Sequence, residues 1–361
     1  MRIFVMMILI LSMVLSAPTI AFSQQITAVQ RVNGDLKLIG WNISPNSGAI
    51  VRQTDALADA ISDIAIQGYR RGVVTAVRDN SDNLKLIAWQ VDNDGSIFRR
   101  GEATAGAVTD IEIGTFNRET ITAARDGNGN LKLISWKIDD DGNIVHQDEI
   151  TDDRVNEIAL AEYPHGVVSA VRDDDGRLKL ITWQISSNGS ISKRQEVVAG
   201  LVSKISMTSI HPSGVVTAVS DRNNKLKLIA WKIEPDGTIA RQSSTFAGEV
   251  DEIAIAEYGR GVITALRNRS GNLKLVAWEI DNGGFFNDGA ITRQGNASAG
   301  KASNIAIATV TPGVVTAIRN DDGNLKLIAW RINAEDGSIS RLSDASAGAV
   351  RLVTIGSSLS D

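Results

Sequence analysis

Residues 84–89 read LKLIAW, and related segments end at each of the seven tryptophans in the chain. Consecutive tryptophans lie 47 or 48 residues apart, with a single interval of 52. A fixed period of this length indicates one supersecondary unit copied along the chain. The seven residues are Trp41, Trp89, Trp136, Trp183, Trp231, Trp278 and Trp330.

The unit at residues 108–147 contains four runs rich in β-forming residues, at 111–113, 120–124, 131–138 and 143–147. Turn sequences such as DDDG at 139–142 separate the runs. Asp and Asn side chains bond to their own backbone and Gly adopts positive φ, as tight hairpins require. No helical period competes with this pattern. Each unit is therefore predicted to be a four-stranded antiparallel meander.

The third strand of each unit carries apolar side chains on both faces, as Leu84 and Leu86 alternate with Ile87 and Trp89. A strand of this kind must be covered on both sides, which sheets stacked around an axis achieve. The sequence thus predicts an all-β fold, a seven-bladed β-propeller of four-stranded antiparallel blades. Because residues 349–356 repeat the first strand that the N-terminal unit lacks, a C-terminal strand is expected to complete the N-terminal blade and close the ring.

The repeats resemble seven-bladed β-propeller proteins in general, and their third-strand tryptophans are similar to those of WD40-type and tectonin-type (lectin) blades. No Asp follows any of the tryptophans, and the Gly-His pair of WD40 blades is missing. The resemblance to tectonin-like lectins implies indole faces presented to sugars. The alternative is that each indole packs between neighbouring blades, because a residue present in every copy serves what every copy needs.

The first 23 residues combine Arg2, an apolar stretch and small residues before Gln24, which predicts a signal peptide cleaved after Ser23. An uncleaved anchor is the alternative. Residues 24–361 are predicted to form a single propeller domain in a secreted or periplasmic protein. The chain has no cysteine and a formal net charge of −5. Without a basic stripe, it offers no nucleic-acid surface, and we expect a monomer without stable membrane insertion.

The third strands also carry one lysine each: Lys37, Lys85, Lys132, Lys179, Lys227, Lys274 and Lys326. These could form an anion-binding ring. The structural interpretation is that each stem lies along the indole while the ammonium group meets an acid just before the first strand, such as Asp63, Asp110, Glu157 or Glu252.

Residues for catalysis or metal binding are scarce, and no catalytic, metal or cofactor site is predicted. The Asp-rich turns lack the spacing of a calcium loop. The three histidines are His146, His165 and His211. His165 and His211 fall in the first loops of consecutive units, where a metal or general-base role competes with simple solvation.

The loops between first and second strands break the repetition and hold the predicted ligand-binding residues. An aromatic residue followed by a basic one recurs there, and a longer turn before the last unit adds two phenylalanines. Aromatic and basic side chains are enriched at recognition surfaces, although each aromatic could instead plug its own blade. The candidates are Tyr69, Arg71, Phe116, Arg118, Tyr163, His165, Tyr258, Arg260, Phe285 and Phe286.

These features predict an exported, non-enzymatic and lectin-like binding module that recognises a glycan or a protein surface through loops on one propeller face. Two alternatives remain at this stage. One is a hydrolase- or lyase-type enzyme with its site over the channel mouth, which rests on fold-level analogy. The other is a scaffold within an envelope complex.

Overall fold

A computed structural model describes residues 23–70, 72–212, 214–281 and 289–357. Every regular element in these ranges is a β-strand. The predicted signal peptide and the Phe285–Phe286 turn lie outside them, as does Arg71. No helix within the described ranges is long and apolar enough to cross a membrane.

The strands in chain order are β1 (Ser23–Arg31), β2 (Asp35–Ile43), β3 (Ile50–Tyr69), β4 (Gly72–Asp79), β5 (Asn83–Val91), β6 (Ile97–Phe116), β7 (Glu119–Asp126), β8 (Asn130–Ile138), β9 (Ile144–Tyr163), β10 (Gly166–Asp173), β11 (Arg177–Ile185), β12 (Ile191–Leu201), β13 (Lys204–Ile210), β14 (Gly214–Ser220), β15 (Lys225–Ile233), β16 (Ile239–Glu249), β17 (Glu252–Tyr258), β18 (Gly261–Arg267), β19 (Asn272–Ile280), β20 (Ile291–Lys301), β21 (Ser303–Val310), β22 (Gly313–Arg319), β23 (Asn324–Ile332) and β24 (Ile339–Ser357).

The turns between strands have the predicted chemistry. Between β7 and β8, Asp126 Oδ1 accepts hydrogen bonds from the backbone N–H groups of Asn128 at 2.9 Å and Asn130 at 2.8 Å. Gly129 follows with φ of +88°, in the left-handed region that favours glycine. Side-chain bonding by Asp and the freedom of Gly therefore close this hairpin.

Four strands, β3, β6, β9 and β24, are longer than the repeat pattern predicts. In β6, residues 97–107 pair with β5 and residues 108–116 pair with β7. The fourth strand of one unit and the first strand of the next were expected to be separate, and here they are continuous. The physical reason lies at the junction, where a shift in register between Val108 and Asp110 keeps Val108 paired with Asp126, so that extended geometry continues from one sheet into the next.

The hydrogen-bonded order comprises one sixteen-stranded sheet and two four-stranded sheets, all paired antiparallel. Within the long sheet the two ends of the chain meet, since β1 pairs with β24 through partners such as Val29 and Val353. The C-terminal segment therefore pairs with the N-terminal strand, as the alignment of residues 349–356 predicted.

The core lies between neighbouring units and is built around the tryptophans, each of which is at most 3% exposed. One cluster joins Leu84 and Leu86 of β5 to Trp136 of β8 in the following unit. Each indole N–H also donates a hydrogen bond of 2.9–3.0 Å to a Thr or Ser hydroxyl fourteen residues earlier, as from Trp183 to Ser169. The packing interpretation of the tryptophans is confirmed.

The expected acidic partners of the lysines are wrong. Lys85 pairs with Glu102 at 2.9 Å, and Lys132 pairs with Glu149 at 2.8 Å. Both acids belong to the outer strand of the lysine's own unit rather than to the start of a first strand. The reason is register: Glu102 stands opposite Ile87, close to Lys85 on the neighbouring strand.

Candidate functional site

The first loops of the units place the predicted aromatic residues at the ends of the inner strands. Phe116 and Tyr163 are buried, at 8% and 5% exposed, while Tyr69 and Tyr258 are half-buried. The Tyr258 hydroxyl lies 3.0 Å from the carbonyl oxygen of Ile332, to which it donates. These rings fill space between units, and each presents only part of its surface to a ligand.

The predicted basic residues differ from the aromatic ones in exposure. Arg118, His165 and Arg260 are exposed in their turns. The His165 ring meets Tyr163 edge-on with ring centroids 6.3 Å apart. Arg118 has φ of +71°, which an arginine adopts only where the turn imposes it. The sequence therefore located these side chains correctly on loops, without identifying what they contact.

A pocket of about 240 Å³ opens at the ends of β6, β9 and β13. It brings together two predicted residues, Phe116 and Tyr163, with two polar ones that the prediction did not include, Glu162 and His211. Its remaining lining is Asn117, Pro164, Ser209, Ile210, Pro212 and Gly214.

His211 is held by a carboxylate from the next unit. Its Nδ1 lies 3.1 Å from both carboxylate oxygens of Glu257, and its backbone N–H donates to Glu257 Oε1 at 3.0 Å. The side-chain hydrogen bond between His211 and Glu257 and the charge of Glu257 raise the pKa of His211 above its ordinary value. A carboxylate on Nδ1 fixes the proton there and leaves Nε2 as the basic nitrogen.

Glu162 provides a third titratable group beside this pair. Partial burial and the negative charge of Glu257 raise its pKa, against the opposing effect of His211. Thr309 Oγ1 donates to the backbone carbonyl of Glu257 at 2.7 Å and so helps to fix the end of β17. Three consecutive units thus converge on one cluster of an imidazole, its carboxylate partner and a second carboxyl group whose pKa is raised.

The sequence carried a signal for the two acids. Glu162 and Glu257 each stand directly before a tyrosine in the same AEY triplet, at residues 161–163 and 256–258. The prediction includes the tyrosine of each triplet and not the acid before it. The sequence places His165 and His211 in the first loops of consecutive units, and the structure pairs His211 with Glu257.

A second pocket of about 270 Å³ contains the predicted residues Tyr258 and Arg260. It also exposes parts of Trp278, Glu279 and Asn333, at the boundary between two units. The predicted binding residues consequently fall into at least two separate recesses along the rim.

The inner strands carry acidic residues at their opposite ends. Burial, together with the charges of Asp63 and Glu157, raises the pKa of Asp110 to about 6. Burial and the charges of Asp110, Asp63 and Glu157 raise the pKa of Glu112 to about 8. In the described ranges, no group of three or more His, Cys, Asp or Glu side chains is placed to hold a metal ion. The raised pKa values result from burial and from the mutual repulsion of these acids.

Two of the inner-strand acids tie neighbouring units together. Glu157 Oε1 accepts the N–H of Ile205 at 3.0 Å, and Glu252 Oε1 accepts that of Ile305 at 2.5 Å. In both cases the donor belongs to the first strand of the following unit. This role is structural and explains why the acids are unavailable to the lysines.

No protein-family model matches the chain, and no curated protein matches it either. Solved structures do. A Bacteroides fragilis protein provisionally named a 6-phosphogluconolactonase has a TM-score of 0.71 at 12% identity, covering 94% of this chain and 99% of that one. A similarly named Bacteroides uniformis protein has 0.69 at 15%, covering 92% and 99%. The periplasmic gluconolactonase of Pseudomonas aeruginosa has 0.68 at 11%, again covering 92% and 99%.

These comparisons correct the functional prediction. The expected non-enzymatic binding module is contradicted, because the named structures that share this fold over nearly their whole length carry the names of lactone-hydrolysing enzymes. The contact between Glu257 and His211 was not predicted, because the two residues lie 46 positions apart in the chain.

The specific resemblance to WD40-type or tectonin-type blades is not shown by these neighbours, and neither is a lectin-like surface. The general architecture is shown. The chain is an all-β protein of antiparallel strands with the β-propeller fold, similar in fold to the lactonase-named proteins.

Proposed function

We propose that this protein is an exported hydrolase that opens a small cyclic ester in the pocket beside His211. The observation that carries the proposal is the Glu257–His211 pair, with Nδ1 3.1 Å from both carboxylate oxygens, next to Glu162 at the pocket. The names of the fold neighbours supply the substrate class, a sugar-acid lactone. His211, Glu257 and Glu162 supply the groups that would carry out the reaction.

In this mechanism Glu257 holds the Nδ1 proton, so that neutral His211 accepts a proton from water at Nε2. The resulting hydroxide attacks the lactone carbonyl carbon, and the ring C–O bond breaks as the tetrahedral intermediate collapses. His211 then returns its proton to the departing alkoxide oxygen, giving a hydroxy acid. Protonated Glu162 can donate a hydrogen bond to the developing oxyanion. A positioned acid–base group of this kind contributes about 10²–10⁴-fold to the rate.

The charges around the pocket favour an unphosphorylated substrate. Its described lining contains Glu162 and His211 and includes no lysine or arginine, and the carboxylate of Glu257 lies beside it. A phosphate group would therefore meet net negative charge without a cationic partner. We expect gluconolactone to be hydrolysed in preference to its 6-phosphate.

The test is hydrolysis of glucono-δ-lactone, followed as acid release and corrected for the spontaneous rate. His211→Asn and Glu257→Gln should each lower kcat/KM by about 10²-fold or more, since they remove the base or its orienting partner. The matched control is His146→Asn, because His146 makes the same type of contact with Glu149, at 3.3 Å, on an outer strand away from the pocket. The control should keep full activity.

Two results would contradict the proposal. One is a wild-type rate no faster than the spontaneous reaction with either lactone. The other is an enzymatic rate that His211→Asn and Glu257→Gln leave intact, in which case the recess at Tyr258 and Arg260 would hold the reacting groups.

The proposal includes the architecture in which the site lies. Residues 24–361 form one seven-bladed ring, preceded by a signal peptide at 1–23, and the protein works as a monomer in the periplasm or outside the cell. A cycle of contacts supports the ring: the inner parts of β24, β3, β6, β9, β13, β17 and β21 each contact the next, and β21 contacts β24. Phe285 and Phe286 remain predicted contact residues.

A further inference from the structure

The outer flank of the molecule carries a charge pattern that is interrupted in two neighbouring repeats. In five repeats the outer strand supplies an acid to the lysine of the third strand. These pairs are Lys37–Asp55, Lys85–Glu102, Lys132–Glu149, Lys179–Glu196 and Lys326–Asp344, with N···O distances of 2.5–3.8 Å. The acid stands in register with the residue two positions before the tryptophan, as Asp344 does opposite Ile328.

The fifth and sixth repeats have lost that acid. Ser244 occupies its place opposite Ile229, and Asn296 occupies its place opposite Val276. The lysines themselves are kept, as Lys227 and Lys274. These two neighbouring repeats therefore keep the lysine of the third strand without the acidic residue that pairs with it in the other five.

Each of these lysines has an arginine on the neighbouring strand of its sheet. The residue opposite the tryptophan is Arg241 in the fifth repeat and Arg293 in the sixth. Burial, followed by the charge of Arg241, lowers the pKa of Lys227, whose ammonium lies 5.0 Å from the ring centroid of Phe246. Within the described part of the chain, no carboxylate forms an ion pair with Lys274 or Arg293.

Lys274 and Arg293 open onto a pocket of about 270 Å³ between the fifth and sixth repeats. Its apolar wall includes Leu266 and Val276. Arg269 also lines it, and this guanidinium is bound by Glu249 at 2.8 Å. The charged lining thus comprises three cations and one carboxylate. The pocket is large enough for a small molecule, because one water molecule occupies only about 30 Å³.

We infer that this flank pocket is an anion-binding site, in which Lys274 and Arg293 bind a small organic carboxylate or phosphate ester in place of the acidic side chain that Asn296 replaces. The oxyanion sits where the other repeats hold an acidic side chain, and its apolar part packs on Leu266 and Val276. Two cations without a carboxylate gain a charge-assisted hydrogen bond from any oxyanion that enters. The site is separate from the pocket at His211.

The test is titration calorimetry of the full mature chain with inorganic phosphate and with monobutyl phosphate, at constant ionic strength. We expect one saturable site for each, with tighter binding of the butyl ester because its chain reaches the apolar wall. Asn296→Asp restores the acid found in the other repeats and should weaken binding by at least about tenfold, as should Lys274→Gln.

The matched control is Thr151→Asp, which adds the same charge to the outer strand of the third repeat, where Lys132 is already paired with Glu149. It should leave phosphate affinity unchanged. Circular dichroism melting checks that each variant folds. The inference is overturned if neither probe shows saturable binding, if Asn296→Asp binds as tightly as the wild type, or if Thr151→Asp weakens binding equally.

Discussion

At the scale of single residues, the tryptophans have the same environment in every repeat, whereas the inner-strand acids do not. Each indole is buried and has its N–H bonded to a hydroxyl in the same unit, as between Trp183 and Ser169, so its environment is the same in every repeat. The inner-strand acids vary from unit to unit, and their environment depends on which neighbours are also acidic. Glu112 is the extreme case, with Asp110, Asp63 and Glu157 all acting on it.

Glu112→Gln tests that environment through pH. The folded-state pKa of Glu112, about 8, exceeds the ordinary value of 4.5, so the folded protein holds a proton that the unfolded chain releases. This contribution to stability is fully present below pH 4.5 and is lost as pH rises towards 8. Gln cannot ionise, and we expect it to raise the free energy of unfolding near pH 8 by about 1–3 kcal/mol.

Denaturant unfolding across this pH range provides the measurement. The matched variant is Glu149→Gln on the outer strand, where hydrogen bonding to Lys132 lowers the pKa of the carboxyl group. Removing this exposed pair should cost about 0.5 kcal/mol. The interpretation of Glu112 fails if its variant is destabilised in the same way as Glu149→Gln.

At the scale of elements, the local sequence predicts the turns between strands. It does not predict the strands that continue from one unit into the next. The Asp–Gly turns are recognisable because their conformations are local. The continuous strand β6 is not, because its second half is extended by pairing with β7, which lies further along the chain. Five second strands, β4, β10, β14, β18 and β22, begin with a glycine that closely approaches the carbonyl oxygen of the tryptophan on the next strand.

Gly261→Ala tests this close approach. A Cβ atom on Gly261 would lie only 1.9 Å from the backbone oxygen of Trp278, which cannot move without disturbing the pairing of β18 with β19. We expect a loss of about 2–4 kcal/mol of stability. Gly106→Ala, whose added Cβ meets nothing within 4 Å, should be neutral or slightly stabilising. Equal thermal melting of the two variants would contradict this account.

At the scale of the whole molecule, the first and last described strands of the chain pair with each other in one sheet. β24 is the only strand in the described chain that pairs with both β23 and β1. Its last part pairs with β1, the N-terminal strand of the described chain. The stability of this sheet should therefore depend on a few C-terminal residues.

Truncation after residue 349 tests this dependence. It removes the partners of Ile26, Ala28 and Val29 and exposes the edge of β1, so the melting temperature should fall by ten degrees or more, given about 2–4 °C per kcal/mol for a domain of moderate size. A peptide spanning residues 350–357, added in excess, should restore part of the loss. A truncated chain that melts like the intact protein would show that β1 needs no such partner.

The sequence alone determined the repeating unit, its four strands, the hairpin turns and the pairing of the chain ends. These features are written in local periodicity and in turn residues, and the tryptophan period repeats them seven times. The candidate site was predicted only in outline. Phe116 and Tyr163 do line the pocket at His211, whereas Glu162 and Glu257 were not among the predicted residues.

Only the tertiary structure decided which side chains act together. Glu257 meets His211 from a strand 46 residues further along the chain, and Lys274 lacks a carboxylate because Asn296 stands in register beside it. Neither relation is visible as a local pattern, because each depends on how neighbouring strands and units are placed. The repeats determine the scaffold, and the contacts between unlike repeats determine where charge and chemistry gather.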